Sequence, residues 1–211
     1  MLLAVTALVA VAALAGCGGK KEPKAEPTIP TPTSSIPVPA GVRLTAAGAK
    51  LTFGQSAYVA YQPNPQRGTI LQLTVTSVAQ GTVADLDQYQ LDDRTKASTP
   101  YYVQVSVKNV GQGDVGNTPI PLYLADNETP PLLINPSSFN NTFAKCPSRP
   151  LPTSFAPAAS TTDCLVYLVP NHGTMTGISF RPLMAFEPIL WTGTVTPPST
   201  PKAPATSKKK K

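Results

Sequence analysis

The chain has 211 residues, 41% of them hydrophobic, with 25 prolines, three cysteines, one histidine and a formal charge of +6. That charge sits at the ends: residues 40 to 200 hold nine basic and nine acidic side chains, whereas Lys202 and Lys208 to Lys211 crowd the C-terminus. A nucleic-acid-binding face on the central region is therefore not indicated, and no nucleic acid partner is expected.

Residues 2 to 16, LLAVTALVAVAALAG, contain no charge. A helix crossing the hydrocarbon needs about 20 apolar residues, so this run is too short to span and matches the apolar region of an export signal. No Lys or Arg precedes it, so the expectation is that the start codon lies upstream of Met1 or that the sequence is trimmed. Leu14-Ala15-Gly16-Cys17 resembles the bacterial lipobox. That resemblance implies a signal peptide over 1–16, cleavage before Cys17, a diacylglyceryl thioether on Cys17 and membrane lipid as a first partner. The alternative is a plain secretory signal with a coincidental cysteine.

Residues 17–40 follow as a Pro-rich linker. Proline, Thr, Ser and Ala dominate residues 22 to 39 and the tail at 197–211. Such compositions bury too little to offset chain entropy, so both are expected to be extended or disordered. The expected organisation is lipid, stalk, one domain over 41–196 and a loose tail.

Within that domain no apolar stretch has helical period. Leu51 to Phe53 and Ala57 to Tyr61 read as strands. Leu71, Leu73 and Val75 alternate with Gln72, Thr74 and Thr76; Tyr101, Val103, Val105 and Val107 alternate with Tyr102, Gln104, Ser106 and Lys108. This period of two marks half-buried strands and places Tyr102 on the exposed side. Shorter runs follow at Leu122 to Leu124, Leu132 to Ile134, Leu165 to Val169, Gly177 to Phe180 and Ile189 to Thr192, with Gly, Pro, Asn and Asp between them. About eight strands separated by turn residues predict an all-β antiparallel sandwich. Asn135 to Thr162, with five prolines, is the least regular segment.

With Cys17 assigned to lipid, Cys146 and Cys164 remain as a disulfide pair in an exported chain. The bridge would pin the irregular segment and contribute about 3 kcal/mol in the chain-entropy model. A redox Cys-x-x-Cys spacing is absent, and a zinc site would be short of ligands with His172 the only imidazole.

The order of KLTFGQSAYVAY (50 to 61), GTILQLTVTSVAQG (68 to 81), YYVQVSVKNVG (101 to 111), CLVYLVP (164 to 170) and PILWTG (188 to 193) resembles the telokin-like, immunoglobulin-like domain of secreted bacterial proteins. That group includes mycobacterial immunoprotective extracellular antigens and many actinobacterial lipoproteins. The resemblance spans roughly residues 48 to 194. It implies an immunoglobulin-like β-sandwich at the cell surface and supplies no active site and no cofactor.

His172 lies in a turn, Pro170-Asn171-His172-Gly173, where a solvated histidine is the ordinary expectation, and no Gly-x-Ser-x-Gly elbow accompanies it. The acidic stretch Asp85 to Asp93 is the densest set of oxygen ligands, yet its spacing does not fit an EF-hand and Arg94 and Lys96 follow at once. Tyr58, Tyr61, Tyr101, Phe180 and Trp191 are expected to pack within the sandwich. Tyr102 and Lys208, Lys209, Lys210 and Lys211 are the candidate interaction residues.

The resulting expectation is a non-enzymatic lipoprotein on the outer face of the membrane, without metal or cofactor, presenting a surface or strand edge to an envelope or host protein. The alternative is a carrier of a small apolar ligand between the sheets. If the terminal lysines dock on anionic polymers or headgroups, removing Lys208 to Lys211 weakens retention on an anionic surface at low salt. Salt removes that difference, since each Lys contributes about 1 kcal/mol that is screened.

Overall fold

The computed structural model describes residues 35–181 and 187–198. The signal peptide, Cys17, most of the linker and Lys208 to Lys211 lie outside the described residues. Ten strands are present among the described residues: β1 (Lys50–Thr52), β2 (Ser56–Asn64), β3 (Arg67–Gln80), β4 (Thr99–Asn109), β5 (Tyr123–Asp126), β6 (Leu133–Ile134), β7 (Ser160–Val169), β8 (Met175–Phe180), β9 (Ile189–Thr192) and β10 (Val195–Thr196). The only α-helical turn among the described residues is α1 (Asp93–Lys96), capped by the Asp92 side chain on the Thr95 amide.

The expected all-β sandwich is present as two packed sheets. The first runs β1-β9-β8-β5-β6; the second runs β10-β3-β4-β7, with β2 also paired to β3. Neighbours are antiparallel except β1 with β9 and β10 with β3, which are parallel. Those two parallel pairs arise because the chain changes sheets twice on the same side, between β1 and β2 and between β9 and β10. The crossings are tied together: Phe53 N–H donates to the Thr192 carbonyl, and the Trp191 indole donates to the Gln55 carbonyl at 2.9 Å. Gly54, at φ 91°, makes the first crossing and donates to the Val75 carbonyl. β10 is only two residues long and has no period to read in the sequence.

Alternation places the core. Leu71, Leu73, Val75, Tyr101, Val103, Val105, Val107, Leu165, Tyr167 and Val169 from the second sheet meet Leu124, Ile178, Phe180, Ile189 and Trp191 from the first. Trp191 and Tyr167 are completely buried, and the Tyr167 hydroxyl donates to the Leu122 carbonyl at 2.9 Å. Full burial of each large side chain contributes roughly 1.5–3 kcal/mol. A bulge at Thr76 shifts the register between Val75 and Ser77. It reverses the parity of β3, so that Val78 also faces inward.

Pairing with β7 continues the full length of β4, from Thr99 opposite Val169 to Lys108 opposite Ser160. At the end of β4, Asn109 is completely buried and uses its whole amide. Its oxygen accepts from the Thr69 hydroxyl at 2.6 Å and the Gly111 amide at 3.1 Å. Its nitrogen donates to the Gly113 and Phe155 carbonyls, both at 2.7 Å. A side chain on Gly111 would run into the Ile70 amide, which explains the glycine in Asn109-Val110-Gly111.

One expectation is corrected. Tyr102 does face away from the main core, as its parity requires, but it is only 5% exposed. The outer face of β4 and β7 carries Tyr102, Cys164, Val166 and Leu168, and a second apolar cluster closes over it from Leu86, Tyr89, Leu91, Phe139, Phe143 and Cys146. The irregular segment after Asn135 forms much of this cover. The Cys146–Cys164 disulfide, whose ends are 18 positions apart in sequence with Cα atoms 4.9 Å apart, fixes it to β7.

Replacing Asn109 with Ala removes four hydrogen bonds and leaves buried partners unsatisfied. The expected loss is about 2–4 kcal/mol, read as a lowered urea midpoint with unchanged slope, whereas Gln104→Ala on the exposed face changes stability by about 0.5 kcal/mol or less.

Candidate functional site: a proline-walled cleft at the end of the sandwich

The end of the sandwich where β2 and β8 finish and β5 begins is not flush. β2 reaches past the main core with Ala60, Tyr61, Gln62 and Pro63, while the segment before β5 runs Pro119-Ile120-Pro121-Leu122. Between them lies an open cleft of about 400 Å³, whose walls include Tyr61, Tyr123, Pro63, Pro119, Pro121 and Pro136. Proline fixes φ and removes a donor, so these walls are stiff and present rings and carbonyls.

Tyr61 is set by parity. It follows Ala57 and Val59 on the inward face of β2, at the point where the sandwich runs out of partners, and packs against the edge of the main core. Its hydroxyl donates to the Pro119 carbonyl at 2.9 Å, and burial pushes its ionisation above the usual phenol range. Tyr123 pairs with Ser179 on the first sheet and is half-buried. Its hydroxyl makes no hydrogen bond among the described residues.

The cleft also borders a sheet edge. Thr45 N–H donates to the Tyr58 carbonyl at 2.9 Å, and Tyr58 N–H donates to the Thr45 hydroxyl at 3.0 Å, so the Tyr58 peptide groups turn away from β3. Two residues on, Ala60 has the same parity on β2 and lies in the cleft wall. A second hollow of about 260 Å³ shares Pro119, Ile120, Asn135 and Pro136 with the first and continues past Ser148 and Arg149. The other end of the second sheet is closed: Ser137 N–H donates to the Val166 carbonyl and Ser148 N–H to the Cys164 carbonyl, each at 2.7 Å, along the outer edge of β7.

The sequence-predicted residues fall elsewhere. His172 is exposed, its amide bonded to the Ala97 carbonyl. Among the described residues no group of three or more His, Cys, Asp or Glu side chains is placed to hold a metal ion. The acidic stretch does not converge on a common point. Asp92 caps α1, Asp93 pairs with Lys96 at 3.3 Å on the surface, and Asp85 turns inward to the cover. The Asp85 carboxylate accepts from the Tyr102 hydroxyl at 2.9 Å, the Thr82 amide at 3.0 Å and the Lys145 ammonium at 2.9 Å. Lys145 also sits 4.9 Å from the Tyr102 ring centroid. Tyr102 is therefore spent on an internal contact.

Sequence reasoning missed the cleft as a site. Its prolines read as turn punctuation, and Tyr123 reads as one residue of a short strand. Only the folded path brings positions 61, 123 and 136 together.

No family model matches the chain, and no curated protein matches it. Among solved structures it is similar to a secreted protein from Mycobacterium tuberculosis, MPT63, at 11% identity and a TM-score of 0.44, covering 68% of this chain and 96% of that one.

The Asp85–Tyr102 contact sets a pH window. Burial alone raises the Asp85 value, but hydrogen bonds from Thr82, Lys145 and Tyr102 outweigh it and hold the carboxyl below its ordinary range. Its stabilising contribution is complete above the unfolded value of about 3.9 and is lost as pH falls through the lower folded value. Burial, followed by the hydrogen bond to Asp85 and then by its charge, raises the Tyr102 phenol. That contribution is complete below the unfolded value of about 10 and is lost as pH rises towards the folded one. Asp85→Asn is expected to flatten the acid limb of the stability profile and to cost about 1–2 kcal/mol at pH 7, measured by urea unfolding across pH.

Proposed function

We propose that this chain is a non-enzymatic, extracytoplasmic binding domain, tethered by lipid on Cys17, whose end cleft receives an extended, proline-containing segment of a protein partner. The observation that carries the reading is the preformed cleft itself: two tyrosines and four prolines around about 400 Å³, with the Ala60 edge of β2 alongside. Extended proline-rich segments dock on aromatic and proline ridges because their backbone is already ordered, and their free carbonyls seek a few donors such as a tyrosine hydroxyl. Tyr123 provides such a group.

The chemistry of the lining supports binding over catalysis. Its ionisable side chains are Tyr61, Tyr123 and Arg181, which do not assemble a nucleophile with a base. A carrier function would call for room between the sheets, and that space is filled by Trp191, Tyr167, Leu73 and their neighbours. The disulfide agrees with an oxidising compartment, where such bridges persist. Cys17 and the lysine tail extend the same reading: a lipid holds the domain near the membrane, and Lys208 to Lys211 add attraction to anionic surfaces.

The test is site-specific photocrosslinking of the full chain in intact cells. A photoreactive phenylalanine at Tyr123 is expected to capture a protein through a proline-containing segment. The same probe at Gln104, on an exposed face, captures none, and Tyr61→Ala reduces capture about tenfold, as for an interface anchor. In the same cells Cys17→Ser releases the chain from the membrane. Equal capture from Gln104, or no protein adduct from Tyr123, contradicts the cleft as the binding site; retention of Cys17→Ser contradicts the tether.

A further inference from the structure

The second sheet separates two apolar clusters that share no residue. One fills the sandwich, and the other lies on the outer face of β4 and β7. The outer cluster is built on one side from strand residues Tyr102, Cys164, Val166 and Leu168. On the other side it is built from two segments without strands, residues 82 to 91 and 137 to 148.

Few backbone bonds hold those segments to the sheet. Gly81 N–H donates to the Pro100 carbonyl at 2.8 Å, and Ser137 and Ser148 donate to β7. Beyond these, the attachments are side-chain contacts. Asp85 joins Tyr102 and Lys145, the Tyr89 hydroxyl donates to the Asn141 carbonyl at 3.1 Å, and Tyr89, Phe139, Phe143 and Tyr102 stack with centroids 4.8 to 6.2 Å apart. Close fit adds specificity: a side chain on Gly81 would approach the Tyr102 ring to 2.5 Å. The Lys145–Asp85 pair is part-exposed at its lysine end, so its own contribution is small. One covalent bond, Cys146–Cys164, joins the cover to the sheet.

We infer that the Cys146–Cys164 disulfide is a latch on a separately unfolding cover: its reduction frees residues 82 to 91 and 137 to 148 from the outer face of β4 and β7 while the sandwich stays folded. The chemistry is exchange with a dithiol. Its thiolate attacks one sulfur of the bridge, the S–S bond breaks, and the second thiol closes the reagent into a disulfide, leaving Cys146 and Cys164 as two thiols that have gained two electrons and two protons. Both cysteines are at most 4% exposed, so the bridge is sheltered while the cover is shut. Once released, the cover leaves Tyr102, Val166 and Leu168 open to solvent, giving the domain a second apolar surface that exists only in the reduced state. Local opening of this kind runs through contiguous cooperative units, and segments with few backbone bonds to the rest of the fold lie at the low-stability end.

Amide hydrogen exchange of the full chain tests this, before and after treatment with dithiothreitol, and in the variant Cys146→Ala/Cys164→Ala. Exchange at residues 82 to 91 and 137 to 148 is expected to rise at least tenfold in the reduced protein and in the variant. Amides of β3, β5 and β8 keep their protection, and Trp191 emission is unchanged. Phe143→Ala with the bridge intact is expected to raise exchange within the cover alone. Unchanged exchange in the cover after verified reduction overturns the latch. Loss of protection throughout the sandwich, or failure of the double variant to fold, overturns the separateness of the two units.

Discussion

The pairing of β4 with β7 carries apolar side chains on both of its faces, and the rest of the molecule is arranged around that fact. Leu165, Tyr167 and Val169 point into the sandwich while Cys164, Val166 and Leu168 point out of it. Neither row is stable against water. The inner row is covered by the first sheet, through Trp191, Ile178 and Leu124. The outer row has no third sheet to cover it, and the chain uses two irregular segments with aromatic anchors instead. A loop held by side chains alone loses much of its stability to chain entropy, and a disulfide acts on that term by restricting the open states.

This arrangement limits where recognition can take place. The part of the outer face of β4 and β7 around Tyr102, Val166 and Leu168 is spent on its own cover, and the far edge of β7 is bonded to Ser137 and Ser148. The crossings beside Gly54 and Gly193 tie the two sheets together through Phe53 and Trp191. The end beside Tyr61 is different, because β2 overruns the core there and the prolines before β5 cannot complete a sheet. A concavity results from strand lengths that do not match. Its walls are rigid for the same reason that they are irregular.

The sequence showed this division unevenly. Alternation in Tyr101 to Lys108 located the inward row of β4 correctly, because local parity needs only the strand itself. The exposure of Tyr102 could not be read from that strand. Its burial depends on sitting opposite Val166 across the β4–β7 register and on Phe143 arriving from 41 residues further along. One local clue existed: Cys164 to Val169 is apolar without alternation, the pattern of a strand buried on both faces. The Asn109-Val110-Gly111 that ends YYVQVSVKNVG is accounted for by the four bonds of the Asn109 amide. The cleft was illegible because Tyr61, Pro119, Tyr123 and Pro136 belong to separate segments whose meeting is a property of the path between strands.

The account stands most directly on where a proline-containing segment binds. Backbone-amide NMR of the disulfide-bonded chain, titrated with a synthetic proline-rich dodecapeptide, reads this out residue by residue. The account predicts saturable shifts at Ala60, Tyr61, Gln62, Leu122, Tyr123 and Asn135, with Thr74, Gln104 and Ser106 on the exposed side of the second sheet unmoved. Shifts centred on those three residues, or none anywhere at millimolar peptide, would contradict it.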